Sequence, residues 1–291
     1  MVNQINRKSL LIRHSGRSTD YISPSFGFGC LLDCSYCYMK RHTNNKNLSY
    51  AKNIEDILSE INNHVYFYSD VEKPNQTDKQ YITYDISCNE DFALHSKFYN
   101  WEKIFDFFKY HSLAKGSLAT KIIPNNFLSY NPNKKIRIRF SLMPEKWREI
   151  LEPNTSTIRE RLESVRVFLN AGYEVHLNFS PVIVHDNWLD EYKELFRAIH
   201  FYANANAWIK DISVKAEVIF LTHNEAKHEY NLAHQLPGEE LLWVPKLQEE
   251  KTSQYGGKNL RYEHNRKADY IKQFVELHDE LIPWNTIRYI F

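Results

Sequence analysis

The chain has 291 residues, the size of one large domain or of a domain with a small appendage. Hydrophobic residues make up 43% and charged ones 25%, and 19 Tyr and 17 Phe promise an aromatic-rich core, so the expected class is an ordinary soluble globular protein. The net charge of +1 removes any global electrostatic case for nucleic-acid binding, and such a case has to be local.

The opening MVNQINRKSLLIRH lacks the apolar run of a signal peptide, and no stretch approaches the ~20 apolar residues of a membrane span. A cytoplasmic location with no membrane partner is therefore expected. Four cysteines, three of them clustered, argue in a reducing compartment for metal binding rather than a disulfide framework.

The first distinctive segment is SFGFGCLLDCSYCYMKRH, residues 25–42, in which Cys30, Cys34 and Cys37 form a C-x3-C-x2-C pattern. A structural zinc site needs four closed ligands, and His42 or Cys88 would have to complete it. A [4Fe–4S] cluster is the other common use of such spacing; three thiolates leave one iron open to a small molecule. Gly27 and Gly29 allow the backbone to approach closely.

Beyond the loop, strand-like runs alternate with amphipathic stretches. YITYDISC (81–88) reads as a strand ending in Cys88, followed by a helix at WEKIFDFFKYH and a strand at SLATKII (117–123). After an Asn/Pro-rich loop, IRIRFSL (136–142) alternates with period two. TSTIRERLESVRVFLNAGY is a helix capped by Thr155 or Ser156 and stopped at Gly172. Strand EVHLNFSPVIV, helix NWLDEYKELFRAIHFY, strand VKAEVIFL and helix EAKHEYNLAHQL continue the series. Such alternation fits a parallel α/β barrel or a doubly wound sheet; the lack of G-x-G-x-x-G leans to the barrel, where strand C-termini carry the chemistry. That rule puts Cys88 at the active-site end, with Ser87, Glu90 and Asp91 nearby.

Past residue 245 the pattern changes. KLQEEKTSQYGGKNLRYEHNRK reads as a hairpin with a Gly-Gly turn, followed by helix DYIKQFVELHDEL and strand TIRYIF. The expected division is a barrel over 1–245 and a hairpin-helix appendage over 246–291 packed on it. Lys251, Lys258, Arg261, Arg266 and Lys267 face a single acid, Glu263, between 251 and 267, with Tyr255 and Tyr262 interleaved. Basic side chains on a hairpin can neutralise phosphates, and an aromatic can fill the gap left by an extruded base.

The C-x3-C-x2-C motif with an aromatic before its last cysteine resembles the signature of the radical S-adenosylmethionine superfamily. That resemblance implies a partial (β/α)6 TIM-like barrel, a [4Fe–4S] cluster on Cys30, Cys34 and Cys37, and S-adenosyl-L-methionine chelated at the open iron. It also implies contact of Tyr36 with the adenine and an electron donor such as flavodoxin or ferredoxin.

Further local matches, in order along the chain, resemble the spore photoproduct lyase family. GCLLDCSYCYM is similar to its cluster loop, SCNEDFALH to its S-C-T-S-D segment, ATKII to its V-T-K strand and RFSLMPE…EPNTSTIRERLESVRVFLNAGYEV to its R-F-S…E-P-G-T-S…E-R-L…A-G-Y segment. EVIFLTH resembles its E-L-I-T-H, and SQYGGKNLRYEHNRK its DNA-contacting hairpin. The family resemblance implies a lyase that repairs 5-thyminyl-5,6-dihydrothymine in DNA. Within it, Cys88 donates a hydrogen atom to the thymine radical, and Tyr38 with Tyr36 relays the hydrogen back. Tyr36, Ser87, Glu90, Lys121 and Ser141 line the cofactor site, and Lys258, Arg261 and Tyr262 contact DNA. A monomer is expected.

Two departures bear on the substrate. Only 29 residues precede Cys30, and Glu90 stands where the family has serine. They keep open another radical modification of a nucleic-acid base. A zinc-stabilised nucleic-acid-binding module without catalysis is the alternative from a different class.

Overall fold

The computed structural model describes residues 2–14, 16–18, 20–37, 39, 48–68, 78–252 and 257–291. The strands are β1 (Val2–Ile5), β2 (Arg13–His14), β3 (Tyr21–Ile22), β4 (Gly27–Phe28), β5 (Leu48–Ala51), β6 (Ile82–Asp85), β7 (Ala114–Thr120), β8 (Ile136–Ser141), β9 (Glu174–Val182) and β10 (Lys215–Phe220). They continue with β11 (Thr222–Asn224), β12 (Gln248–Thr252), β13 (Lys258–Tyr262) and β14 (Thr286–Ile290). Between them run α1 (Ile54–Tyr68), α2 (Phe92–His95), α3 (Trp101–Tyr110), α4 (Glu145–Leu151), α5 (Ile158–Asn170), α6 (Trp188–Ala205), α7 (Glu225–Ala233), α8 (Glu239–Leu242) and α9 (His264–Leu281).

The main sheet has the order β14-β10-β9-β8-β7-β6-β3-β2 among the described residues. Within it β3–β6, β6–β7, β7–β8 and β10–β14 pair in parallel, and β2–β3 pairs antiparallel. Sequential parallel strands joined by helical crossovers are the partial α/β barrel that the strand–helix alternation predicts.

By internal contacts the chain divides into two compact units, Met1–Cys30 with Asn45–Phe140 and Ser164–His176, and Leu31–Asn44 with Ser141–Glu163 and Leu177–Phe291. Residues 246–291 lie wholly within the second unit, and their last strand, β14, pairs with β10.

In the first unit, α1 buries Ile54, Ile57, Leu58, Ile61 and Val65 at helical spacing, and α3 buries Trp101, Ile104, Phe105 and Phe108. Phe92 stacks on Phe105 at 5.6 Å, and Trp101 and Phe127 pack against the same ring. The strand expected over 117–123 starts earlier, at Ala114. Its start is hidden by Lys115, whose ammonium is buried against Asp78 at 2.9 Å and Glu174 at 2.6 Å, and by Gly116, where a Cβ would lie 2.9 Å from Ile136. The period-two pattern of β8 does not separate core from solvent, because all six residues are buried. Arg137 meets Glu174 at 2.6 Å and Asp20 at 3.3 Å, while Arg139 meets Asp85 at 2.8 Å. Buried cations persist here because each has an acid within reach.

In the second unit, Phe179, Phe196 and Phe274 pack edge to face at 5.3–5.6 Å, fixing α9 against α6.

The helix expected from TSTIRERLESVRVFLNAGY is α5, but its cap is neither Thr155 nor Ser156. Thr157 Oγ1 accepts the Glu160 N–H at 3.2 Å, and Glu160 accepts the Thr157 N–H at 2.7 Å, a reciprocal capping box. Gly172 ends the helix as expected: its φ is +94°, the Tyr173 N–H reaches back to the Phe168 carbonyl at 3.1 Å, and a Cβ would strike Asn131. Thr157→Ala should therefore lower unfolding free energy by about 1 kcal/mol in urea titration, whereas Ser156→Ala should change it by less than about 0.5 kcal/mol.

Candidate active site

In the first unit, residues 25–29 run alongside 87–90. The Gly29 N–H donates to the Asn89 carbonyl at 3.1 Å, and Asn89 Nδ2 donates to Ser25 Oγ at 2.8 Å. Gly29 has φ +95°, a turn that glycine makes without steric cost immediately before Cys30. Cys88 follows the C-terminal end of β6 by three residues and is half-buried, so the first thiol of the loop and the isolated fourth cysteine sit on neighbouring segments. The Arg13 guanidinium on β2 donates to Cys88 Sγ at 3.9 Å, a neighbour the sequence reading missed. The register carries it there: Arg13 pairs with Ile22 on β3, and Ile22 with Asp85 at the end of β6.

Ser87 was expected at the cofactor. Its hydroxyl donates to Asp85 Oδ1 at 3.2 Å and accepts the Ala119 N–H at 3.0 Å, so it ties the end of β6 to β7. Lys121 leaves β7 with its backbone N–H on Asp91 Oδ2 at 2.9 Å, and Asp91 also caps α2 and takes Thr120 Oγ1 at 2.9 Å. Lys121 is half-buried and directly follows the C-terminal end of this strand.

In the second unit, Cys34 is 5% exposed and Cys37 half-buried, and the Cys37 N–H closes on the Cys34 carbonyl at 3.1 Å. The Tyr36 hydroxyl donates to Glu152, which is itself paired with the buried Arg161 at 3.0 Å. Burial, and then the adjacent carboxylate, hold that phenol well above its ordinary range, so it stays protonated. Arg161 also donates to the Ser141 carbonyl at 2.6 Å, and Ser141 Oγ accepts from Asn178 at 3.4 Å at the end of β8. Glu152 was legible only as part of the EPNTS match. Tyr38 lies outside the described residues, as do His42 and Tyr255.

None of the four cysteines forms a disulfide. Among the described residues no group of three His, Cys, Asp or Glu side chains is placed to hold a single metal ion, and His42, one of the two residues that could complete a zinc centre, lies outside them. The donor set fits an iron–sulfur cluster. Three thiols come from one eight-residue loop, in which Asp33 takes a left-handed φ of 65°.

The expected hairpin is present as β12–β13, but one of the contacts expected on it, Tyr262, needs correction. Tyr262 is 1% exposed; its hydroxyl accepts the Val184 N–H at 2.7 Å and its ring packs on Phe220 and Tyr270, which makes it core rather than wedge. Arg261 faces Glu249 in register and holds it at 2.6 Å, and Lys258 holds Glu250 at 2.8 Å. The basic count over 251–267 omitted these two acids on the opposite strand. Lys258 and Arg261 remain partly exposed but start out neutralised.

Glu90 also departs from expectation. It is 8% exposed and spends its carboxyl on the Gly27 N–H at 2.6 Å, the Tyr99 hydroxyl at 3.2 Å and His95 Nδ1 at 3.2 Å. Burial pushes it from 4.5 up to about 8, and burial holds His95 down at about 4, so both are largely neutral at pH 7. It is a buried brace for the 25–29 segment. A carboxyl raised in the folded state binds a proton that the unfolded chain has released, so its stabilisation is complete below pH 4.5 and is lost as pH rises towards 8. Between those values, wild-type unfolding free energy should fall relative to Glu90→Gln by up to about 1.4 kcal/mol per pH unit, as read by denaturant titration across pH 5–8.

A family model described as spore photoproduct lyase matches residues 2–291. Spore photoproduct lyase of Bacillus subtilis is 25% identical over 198 residues, covering 66% of this chain and 54% of that protein. The Clostridium acetobutylicum enzyme of the same name is 27% identical over 173 residues, covering 58% and 48%. The chain thus spans about half the length of the curated relatives it matches. A solved spore photoproduct lyase complexed with dinucleoside spore photoproduct superposes with a TM-score of 0.84 at 19% identity, covering 100% of this chain and 82% of that one. A double mutant with bound AdoMet and the same dinucleoside gives 0.85 at 18% identity with the same coverage. These likenesses establish that the chain has the fold of the solved spore photoproduct lyases. With the family match running from end to end, the chain belongs to the spore photoproduct lyase family.

Proposed function

We propose that this chain is a radical S-adenosylmethionine lyase that repairs 5-thyminyl-5,6-dihydrothymine in DNA. The observation that carries the reading is the Gly29–Asn89 backbone bond, which runs the segment bearing Cys88 beside the segment that leads into the first thiol of the loop. The family match and the two solved relatives with the dinucleoside lesion support the same substrate.

In this reading Cys30, Cys34 and Cys37 hold a [4Fe–4S] cluster, and Lys121 and Ser141 line the S-adenosylmethionine site. When bound, these groups supply a 5′-deoxyadenosyl radical able to take hydrogen from C6 of the lesion. The chain's own work follows from its side chains. Cys88 Sγ gives a hydrogen atom to the thymine carbon radical left once the methylene bridge has broken, a transfer favoured by the weak S–H bond. Arg13 keeps the sulfur directed by donating to it. Tyr36 keeps its phenolic hydrogen on Glu152, and Tyr38 with Tyr36 returns hydrogen towards the cofactor. Lys258 and Arg261 engage phosphate by exchanging Glu250 and Glu249 for it, which makes DNA binding weak and salt-dependent. A flavodoxin or ferredoxin supplies the electron, and the chain acts as a cytoplasmic monomer; no helix among the described residues is long and apolar enough to cross a membrane. Glu90, which favoured a different base modification, is occupied within the fold and no longer supports that alternative.

The test is product analysis with a dinucleoside lesion under anaerobic reduction. Cys88→Ala should still start turnover but divert the thymine radical to adducts of solvent species or reductant. Clean thymine in equal yield from both proteins would remove Cys88 as donor, and with it the mechanism.

A further inference from the structure

Ser35 lies between Cys34 and Cys37 and is held through its backbone. Its N–H donates to the Leu151 carbonyl at the end of α4 at 2.9 Å, and its carbonyl accepts from Asn231 Nδ2 on α7 at 2.8 Å. Its hydroxyl makes a longer contact, 3.5 Å, to the Pro237 carbonyl. Ser35 is 3% exposed and Asn231 is fully buried. The grip therefore operates where water cannot replace a lost bond.

Asn231 is itself held. Its amide nitrogen also donates to Glu239, so both of its neighbours are acceptors and the amide orientation is forced. Glu239 Oε1 takes His223 Nε2 at 3.0 Å and His228 Nδ1 at 2.6 Å, and His228 stacks on Trp243 at 4.2 Å. Burial alone pushes the Glu239 carboxyl up, but donors from His223, Asn231 and His228 outweigh it and leave the group below its ordinary value. This cluster is not a single-ion site. The turn that leads into α8 is close-packed too: at Gly238, with φ +83°, a Cβ would strike Leu151, the residue whose carbonyl takes the Ser35 N–H.

We propose that Asn231, oriented by Glu239, is a positioning residue that sets the spacing of the Cys34 and Cys37 thiols before any metal arrives. Pulling the Ser35 carbonyl onto α7 fixes the peptide planes between the two cysteines, so the turn closed by the Cys37 N–H and the Cys34 carbonyl is already in its final form. The inference rests on reading these cysteines as metal ligands, but its first test does not depend on that reading.

In the metal-free full-length chain, iodoacetamide labelling is followed at each cysteine by mass spectrometry, with Cys88 as the internal reference. Asn231→Leu keeps the volume and removes both donors; it should raise Cys34 and Cys37 labelling relative to Cys88 by about tenfold. Glu239→Gln retains an acceptor for Asn231 and should raise it by only about threefold. An unchanged ratio in Asn231→Leu overturns the proposal, and so does equal acceleration of all sites, which would mean general loosening. After anaerobic reconstitution, Asn231→Leu should also retain less iron than wild type. If wild type takes up no cluster while the labelling ratios shift as stated, the positioning role stands and the cluster reading falls.

Discussion

Three thiols within eight residues can share one inorganic cluster only if the backbone between them is held against its own freedom. A loop of this length loses conformational entropy when it is ordered, and an aqueous loop would spread its cysteines over many arrangements. Here the ordering is done by groups far away in sequence. Gly29 is tied to Asn89, the Ser35 peptide to Leu151 and Asn231, and the Tyr36 hydroxyl to Glu152. Each anchor holds its own stretch, Gly29 in the first unit and Ser35 with Tyr36 in the second, and burial of the anchors means each lost bond carries the desolvation cost of a buried polar group.

The same economy of buried polarity runs through the barrel strands. Lys115, Arg137 and Arg139 are almost fully buried, yet each has a carboxylate within 2.6–2.8 Å, so paired charge shares the interior of these strands with Leu118, Ile136, Ile138 and Phe140. Glu90 follows a different solution: with neutral His95 and a phenol for company, it keeps its proton. Both arrangements brace strand ends where the chemistry is proposed, β6 through Asp85 and the 25–29 segment through Glu90.

Much of this was legible in the residues. The strand–helix alternation, the stop at Gly172 and the hairpin all read correctly, because each depends on local pattern. What the pattern left out depended on direction or on partners distant in the chain. Ser87 and Glu90 flank Cys88 in sequence, but side chains near a strand exit face different ways, and these two face backbone donors within the fold. Tyr262 alternates inward with Leu260, which no charge count reveals. The hairpin's acids sit on the opposite strand, opposed by register rather than by sequence proximity. Asn231 is separated from Ser35 by 196 positions, and nothing in EAKHEYNLAHQL marks it as an anchor. Lys115 and Gly116 concealed the start of β7 because a paired buried lysine looks like a loop residue in isolation.

The central claim is that the Cys30–Cys37 loop supplies three thiolates and leaves one corner of a cluster open. The direct measurement is metal analysis with EPR on the anaerobically reconstituted, reduced chain, before and after S-adenosylmethionine is added. The account predicts about four irons per chain and a spectrum that changes on addition, because a free corner accepts the amino and carboxylate groups of the small molecule. One tightly held zinc, or a cluster whose spectrum is indifferent to S-adenosylmethionine, would contradict it.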